Sequence, residues 1–193
     1  DQLATLFSGG GKEAGVCGGG LTEGGMSLEQ AKDFMATYKK IDQGDPNGDR
    51  KYLTGACNTL TDNCVTFASY FVSKYTSLKF GSNNGAMVVN STLAVNPGLD
   101  QGTEPRPYAL FGTKKGSTLC DWDGDGTKEA PCGHTGIVLG VDKSKGVVVV
   151  GEAAWCNDGF TAAREYPLDQ WSDGSYRYAY LEAHITTSPG GAQ

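Results

Sequence analysis

"PCGHTGIVLGVDKSKGVVVVGE", residues 131–152, holds two apolar runs separated by a short polar segment. "TGIVLGV" (135–141) and "GVVVVGE" (146–152) have the length and β-branched content of strands, and "DKSKG" joins them at hairpin length. A turn at 143–146 makes the pair antiparallel, so the start of the first strand neighbours the end of the second. That places His134, one of only two histidines in the chain, beside Glu152.

Outward from this hairpin, further short apolar runs lie between Gly, Asn and Pro. "AMVV" (86–89), "YALFG" (108–112) and "YRYAYLEAH" (176–184) are strand candidates. In the last, Tyr176, Tyr178 and Tyr180 alternate with Arg177, Ala179 and Leu181. Upstream the period changes. "MSLEQAKDFMATYKK" (26–40) predicts a helix, with Ser27 and Gln30 as a capping box and Leu28, Ala31, Met35 and Tyr38 on one face. "DQGDPNGDRKY" (42–52) is turn chemistry. "TDNCVTFASYFVSKY" (61–75) predicts a second helix, capped by Thr61 or Asp62, with Cys64 in its first turn. Helices first and hairpin-linked strands after predict an α+β domain: N-terminal helices packed on an antiparallel sheet of about five or six strands. Residues 1–50 are expected to be a Gly-rich lead-in plus a helical extension, and 51–193 the main domain.

Composition narrows the function. The 193 residues are 38% apolar and 20% charged, with a formal net charge of −6. No basic stripe marks a nucleic-acid surface. No stretch approaches the roughly 20 apolar residues of a membrane span. The chain opens at Asp1 on polar, Gly-rich sequence without the pattern of a signal peptide, as expected of a mature product or of a trimmed chain. Six cysteines (Cys17, Cys57, Cys64, Cys120, Cys132, Cys156) without a CxxC pair favour disulfides in an oxidising compartment over a zinc ribbon.

Two candidate groups carry chemistry together. A cysteine at a helix start feels unpaired N–H groups that favour thiolate, although it serves equally as a buried structural cysteine or half a disulfide. A carboxylate on one nitrogen of His134 would orient the ring and leave the other nitrogen for a thiol; a surface His–Glu pair is the plain alternative. Cysteine on a helix, then histidine, then an orienting polar residue on strands is the order of papain-like chemistry.

"TDNCVTFASYF", "CGHTGIVLGVD" and "VVVVGEAAW" together resemble the CHAP domains, cysteine- and histidine-dependent amidohydrolases/peptidases, and more distantly the NlpC-like cell-wall peptidases. The resemblance covers roughly residues 55 to 185. It implies a papain-like fold, Cys64 as nucleophile, His134 as general base and Glu152 as the group orienting the histidine. Family members often carry Gln before the cysteine; here Asn63 stands there and offers an amide N–H to an oxyanion from a shorter side chain. Where many members have Asn two residues after the Glu, this chain has Ala154, so that contribution comes from elsewhere, with Asn157 as one choice, or is absent. The implied function is a secreted hydrolase of an amide bond in bacterial peptidoglycan, a muramoyl-L-alanine amidase or a stem or cross-bridge endopeptidase. It would be one piece of a larger multidomain protein. The alternatives are a catalytically silent wall-binding module and a cysteine protease or acyltransferase acting on proteins.

The chemistry needs no metal. "DWDGDGTKE" (121–129) nonetheless places Asp121, Asp123 and Asp125 at alternating positions before Gly126, as in the first half of a calcium loop, while the twelfth position is Cys132 rather than Glu. Structural calcium and a metal-free turn both remain open; "DPNGD" (45–49) is a weaker match. Zinc on Cys120, Cys132 and His134 would consume the base. A Cys120–Cys132 bridge would close this loop just before His134. His184 is expected to be structural, and Trp155 either lines a cleft or packs.

Overall fold

The computed structural model describes residues 24–53, 61, 63–81, 85, 87–113, 119–120, 130–131, 133–153 and 161–189. In chain order these form β1 (Gly24–Gly25), α1 (Leu28–Lys39), α2 (Ile41–Gly44), a 3-10 turn (Asp49–Tyr52), α3 (Cys64–Tyr75) and α4 (Val88–Val95). Then follow β2 (Gln101–Gly102), β3 (Ala109–Thr113), β4 (Leu119–Cys120), β5 (Ala130–Pro131), β6 (Thr135–Asp142), β7 (Val147–Glu152) and β8 (Ala162–Pro167). α5 (Leu168–Trp171), β9 (Tyr176–Tyr180) and a 3-10 turn (Glu182–His184) complete the order. The class is α+β.

The main sheet has seven strands in the order β2-β9-β3-β6-β7-β8, with β1 also paired to β6, and every pairing within it is antiparallel. The expected 135–152 hairpin is its centre. Ile137 pairs with Gly151 and Asp142 with Val147, and one extra residue bulges β6 between Val138 and Gly140.

Both faces of this sheet are covered, which is why β6 and β7 read as near-continuous apolar runs. On one face Leu110, Ile137, Leu139, Val149 and Ala179 meet α1 and α3. On the other, Phe111, Val138, Val148, Val150, Tyr178 and Tyr180 surround Trp171 of α5.

α1 forms because its cap and its apolar face agree. The Ser27–Gln30 capping box is present, and Ala31, Phe34, Met35 and Tyr38 are buried. Their rings meet α3 directly: Phe34 and Tyr38 approach Phe67 edge-on with centroids 6.4 and 5.0 Å away. Such pairs contribute about 0.5–1.5 kcal/mol each beyond their burial. The helix assigned by sequence to an extension thus shares the core of the sheet. Gly140 admits the chain that leads into it: a Cβ there would lie 2.1 Å from the Met26 carbonyl oxygen.

Several expectations are corrected. The run expected as a strand at 86–89 enters helix α4, because Val88, Val89 and Thr92 recur on one buried face and Asn96 closes the end by donating to the Thr92 carbonyl (2.7 Å). The cap of α3 is Asn63, not Thr61 or Asp62. The last strand stops at Tyr180, and His184 lies in a 3-10 turn. The turn-rich stretch 42–52 contains α2 and a 3-10 turn. The sheet gains β8, which the sequence reading did not include. No helix among the described residues is long and apolar enough to cross a membrane.

Candidate active site

Cys64 is the first residue of α3, 7% exposed, and a free thiol. The chain reaches it under tight control. Asp42 Oδ2 accepts from the Thr61 amide (3.0 Å) and hydroxyl (2.6 Å), and the Thr61 carbonyl accepts from the Thr161 hydroxyl (3.1 Å). Asn63 is extended (φ −152°, ψ 130°), and its Oδ1 accepts from the amides of Val65 (2.9 Å) and Thr66 (3.2 Å). Two of the first-turn donors are thereby occupied, and the amide of Cys64 precedes them at the positive end of the helix.

His134 stands just ahead of β6, locked to β3: its amide donates to the Thr113 hydroxyl (3.1 Å), and its carbonyl accepts from the Thr113 amide (3.0 Å). Glu152, the last residue of β7, is 4% exposed. It lies one step beyond the Ile137–Gly151 pair, where the bulge in β6 has shifted it one residue toward His134. His134 Nε2 and Glu152 Oε2 are 2.7 Å apart. The Cys64 side chain is the other group that acts on the imidazole, and with Glu152 it favours the charged ring. With Nε2 engaged by the carboxylate, Nδ1 is the nitrogen left for sulfur. Cys64, His134 and Glu152, separated by up to 88 positions (152 − 64) in the chain, thus come together at one site.

Electrostatics follow from that arrangement. Burial works to lower the His134 pKa, but its interactions with Cys64 and Glu152 outweigh it and push it up to about 9. Burial works to raise the Glu152 carboxyl, yet His134, Tyr166 and the charge of Arg164 hold it below the usual carboxylate range. At neutral pH this is a protonated ring between two groups that favour its charge.

Sequence reasoning missed Tyr166. It lies on β8, and its hydroxyl donates to Glu152 Oε1. Beside it is a cleft of about 560 Å³ lined by His134, Glu152, Tyr166, Gln170, Trp171 and Tyr176, among others. Trp171 is 4% exposed and stacks on Tyr176 with centroids 4.3 Å apart and planes at 7°. It therefore shapes the cleft wall from beneath. The stretch Ala162–Pro167 buries only Ala163 and carries no clean apolar–polar alternation, so the sequence held little signal for Tyr166 or for its strand.

Asn63 can now be tested for two roles at once. Asn63→Ala is expected to lower stability by about 1 kcal/mol through the lost cap, read by thermal or urea unfolding. A drop in kcat well beyond what that loss explains would assign the amide group a part in the reaction.

The candidate calcium residues Asp121, Asp123 and Asp125 lie outside the described residues, as do Ala154, Trp155, Cys17, Cys57, Cys132 and Cys156. The Cys120–Cys132 bridge falls there too; the backbones of β4 and β5 pair antiparallel on either side of that loop, Cys120 opposite Ala130. Among the described residues no group of three or more His, Cys, Asp or Glu side chains is arranged to hold a metal. No family model matches the chain, and neither a curated protein nor a solved structure was found similar to it.

Proposed function

We propose that the protein is a cysteine hydrolase of the CHAP type, with a papain-like arrangement of helix and sheet, acting on an amide bond of bacterial peptidoglycan outside the cytoplasm. The observation that carries this reading is the line Cys64–His134–Glu152, with the thiol at a helix start and the carboxylate buried behind the ring. A disulfide-bonded or purely structural cysteine would have no need of an imidazole held in place by a buried carboxylate.

In the reaction, Cys64 Sγ attacks the amide carbonyl and forms an S–C bond. The oxyanion is stabilised at the start of α3, where the Cys64 amide is the donor. His134 passes its proton to the leaving nitrogen as the C–N bond breaks, which leaves a thioester and a free amine. Water then attacks the thioester while His134 takes up its proton, and the thiolate leaves to restore the resting pair. Glu152 holds the ring and its charge throughout. The machinery serves protein substrates equally well; the peptidoglycan assignment rests on the sequence resemblance.

The test is digestion of defined muropeptides, with products identified by mass spectrometry. The expected result is an amide-bond fragment pair carrying a new amine. Intact muropeptides, together with cleavage of an unrelated polypeptide, would move the assignment to a protein-directed enzyme. Binding to the wall without any cleavage would make it a silent binding module.

A further inference from the structure

The Glu152 carboxylate is buried and has two oxygens to satisfy, and a buried acceptor left without a donor costs about 1–3 kcal/mol. Oε2 faces His134 Nε2, and Oε1 accepts from the Tyr166 hydroxyl. Tyr166 comes from a different strand, where its Cα pairs with Val148, so its side chain reaches back along β8 to the carboxylate. Its ring packs on Trp171 with centroids 5.3 Å apart, which limits where the hydroxyl can go. Arg164, two residues away on the same strand, also acts on the hydroxyl. A phenol can accept one hydrogen bond and donate another. Tyr166, Glu152 and His134 therefore form a continuous donor–acceptor chain.

We propose that Tyr166 is a positioning residue of this site: by donating to Glu152 Oε1 it holds the carboxylate in one orientation, with Oε2 presented to His134. The proposal rests on the Cys64–His134–Glu152 reading and adds to it the group that fixes the last member. The groups facing Glu152 are His134 ahead of β6, Arg164 and Tyr166 on β8, and Tyr176 on β9. His134 and Arg164 act on the carboxylate through positive charge, and Tyr176 adds none while it is neutral. Tyr166 is the neutral one that binds it directly. Burial and the adjacent Glu152 charge raise the phenol's pKa, so it remains a donor over the whole working range.

Tyr166→Phe deletes this donor and keeps the ring against Trp171. In protein labelled with ¹³C at glutamate Cδ, and with the Glu152 signal assigned by Glu152→Gln, the Glu152 titration midpoint should rise in Tyr166→Phe. With one hydrogen bond to a charged group lost, kcat/KM should fall about tenfold. The acid limb of kcat/KM should move up with the Glu152 midpoint, with KM unchanged. A 3-fluorotyrosine placed at 166 is a stronger donor and should move the midpoint the other way; it serves also if the phenylalanine variant does not fold. An unchanged Glu152 midpoint in either variant overturns the positioning role. That result is distinct from failure of the hydrolase reading, which would show as activity that survives loss of Cys64.

Discussion

Cys64→Ala is expected to lower kcat/KM for amide cleavage by about 10⁴-fold or more, the scale on which removal of a nucleophile acting with its base is felt. Cys64 supplies the sulfur of the S–C bond, and alanine offers no nucleophile in its place. The fold should survive. The side chain is small, and the helix start is secured independently by Asn63 and by the Asp42–Thr61 clamp. Unfolding free energy should stay within about 1–2 kcal/mol of the parent. Cys64→Ser should be nearly as damaging, because a hydroxyl holds its proton far more strongly than a thiol beside the same ring. Measured amine release from purified walls near the parent rate in Cys64→Ala would remove the hydrolase mechanism altogether.

His134→Ala comes second, with an expected loss of about 10³–10⁴-fold. Its pH signature is more informative than its size. Because the imidazole is pushed up to about 9, the ring in the resting enzyme carries a proton at neutral pH and serves as the acid that expels the amine. The parent's kcat/KM should fall as pH rises through about 9, where that proton is lost. The residual activity of His134→Ala should lack this limb. Stability should follow the same group. A folded-state pKa above the unfolded value contributes stability that is fully present below about 6.5 and disappears as pH climbs to about 9. Urea unfolding at pH 6 and pH 9.5 should thus show a larger decline for the parent than for His134→Ala. Glu152 acts in the opposite sense. Its lowered pKa contributes stability above the ordinary carboxylate range and loses it as pH falls.

The parts of this molecule legible in the sequence are those where a local signal and a tertiary demand coincide. The Ser27–Gln30 box marks a helix whose apolar face is also the one the sheet needs. The β6–β7 hairpin carries its pairing in its turn, but counting from Asp142–Val147 alone would set Glu152 opposite Ile137; the bulge in β6, which the sequence did not announce, shifts it one residue closer to His134. α4 was hidden because four apolar residues carry no period, and only burial of Val88, Val89 and Thr92 together chooses helix over strand. β8 was hidden for the opposite reason. As an outer strand it buries Ala163 alone, and its remaining residues read as surface. Tyr166 was lost with it, since its reach to Glu152 exists only once β8 is docked on β7. Asn63 was noticed for its side-chain N–H groups, whereas the structure uses its oxygen to start the helix.

The placement of α1 has a practical bearing on any attempt to trim this protein. Cutting the chain after Arg50 would look harmless on paper, since every member of the reactive line lies downstream. It would instead strip Phe34, Met35 and Tyr38 from beneath Phe67, so the segment that presents the sulfur would lose its floor. A shortened version should keep at least everything from Gly24 on, since Gly24–Gly25 already pairs with the sheet.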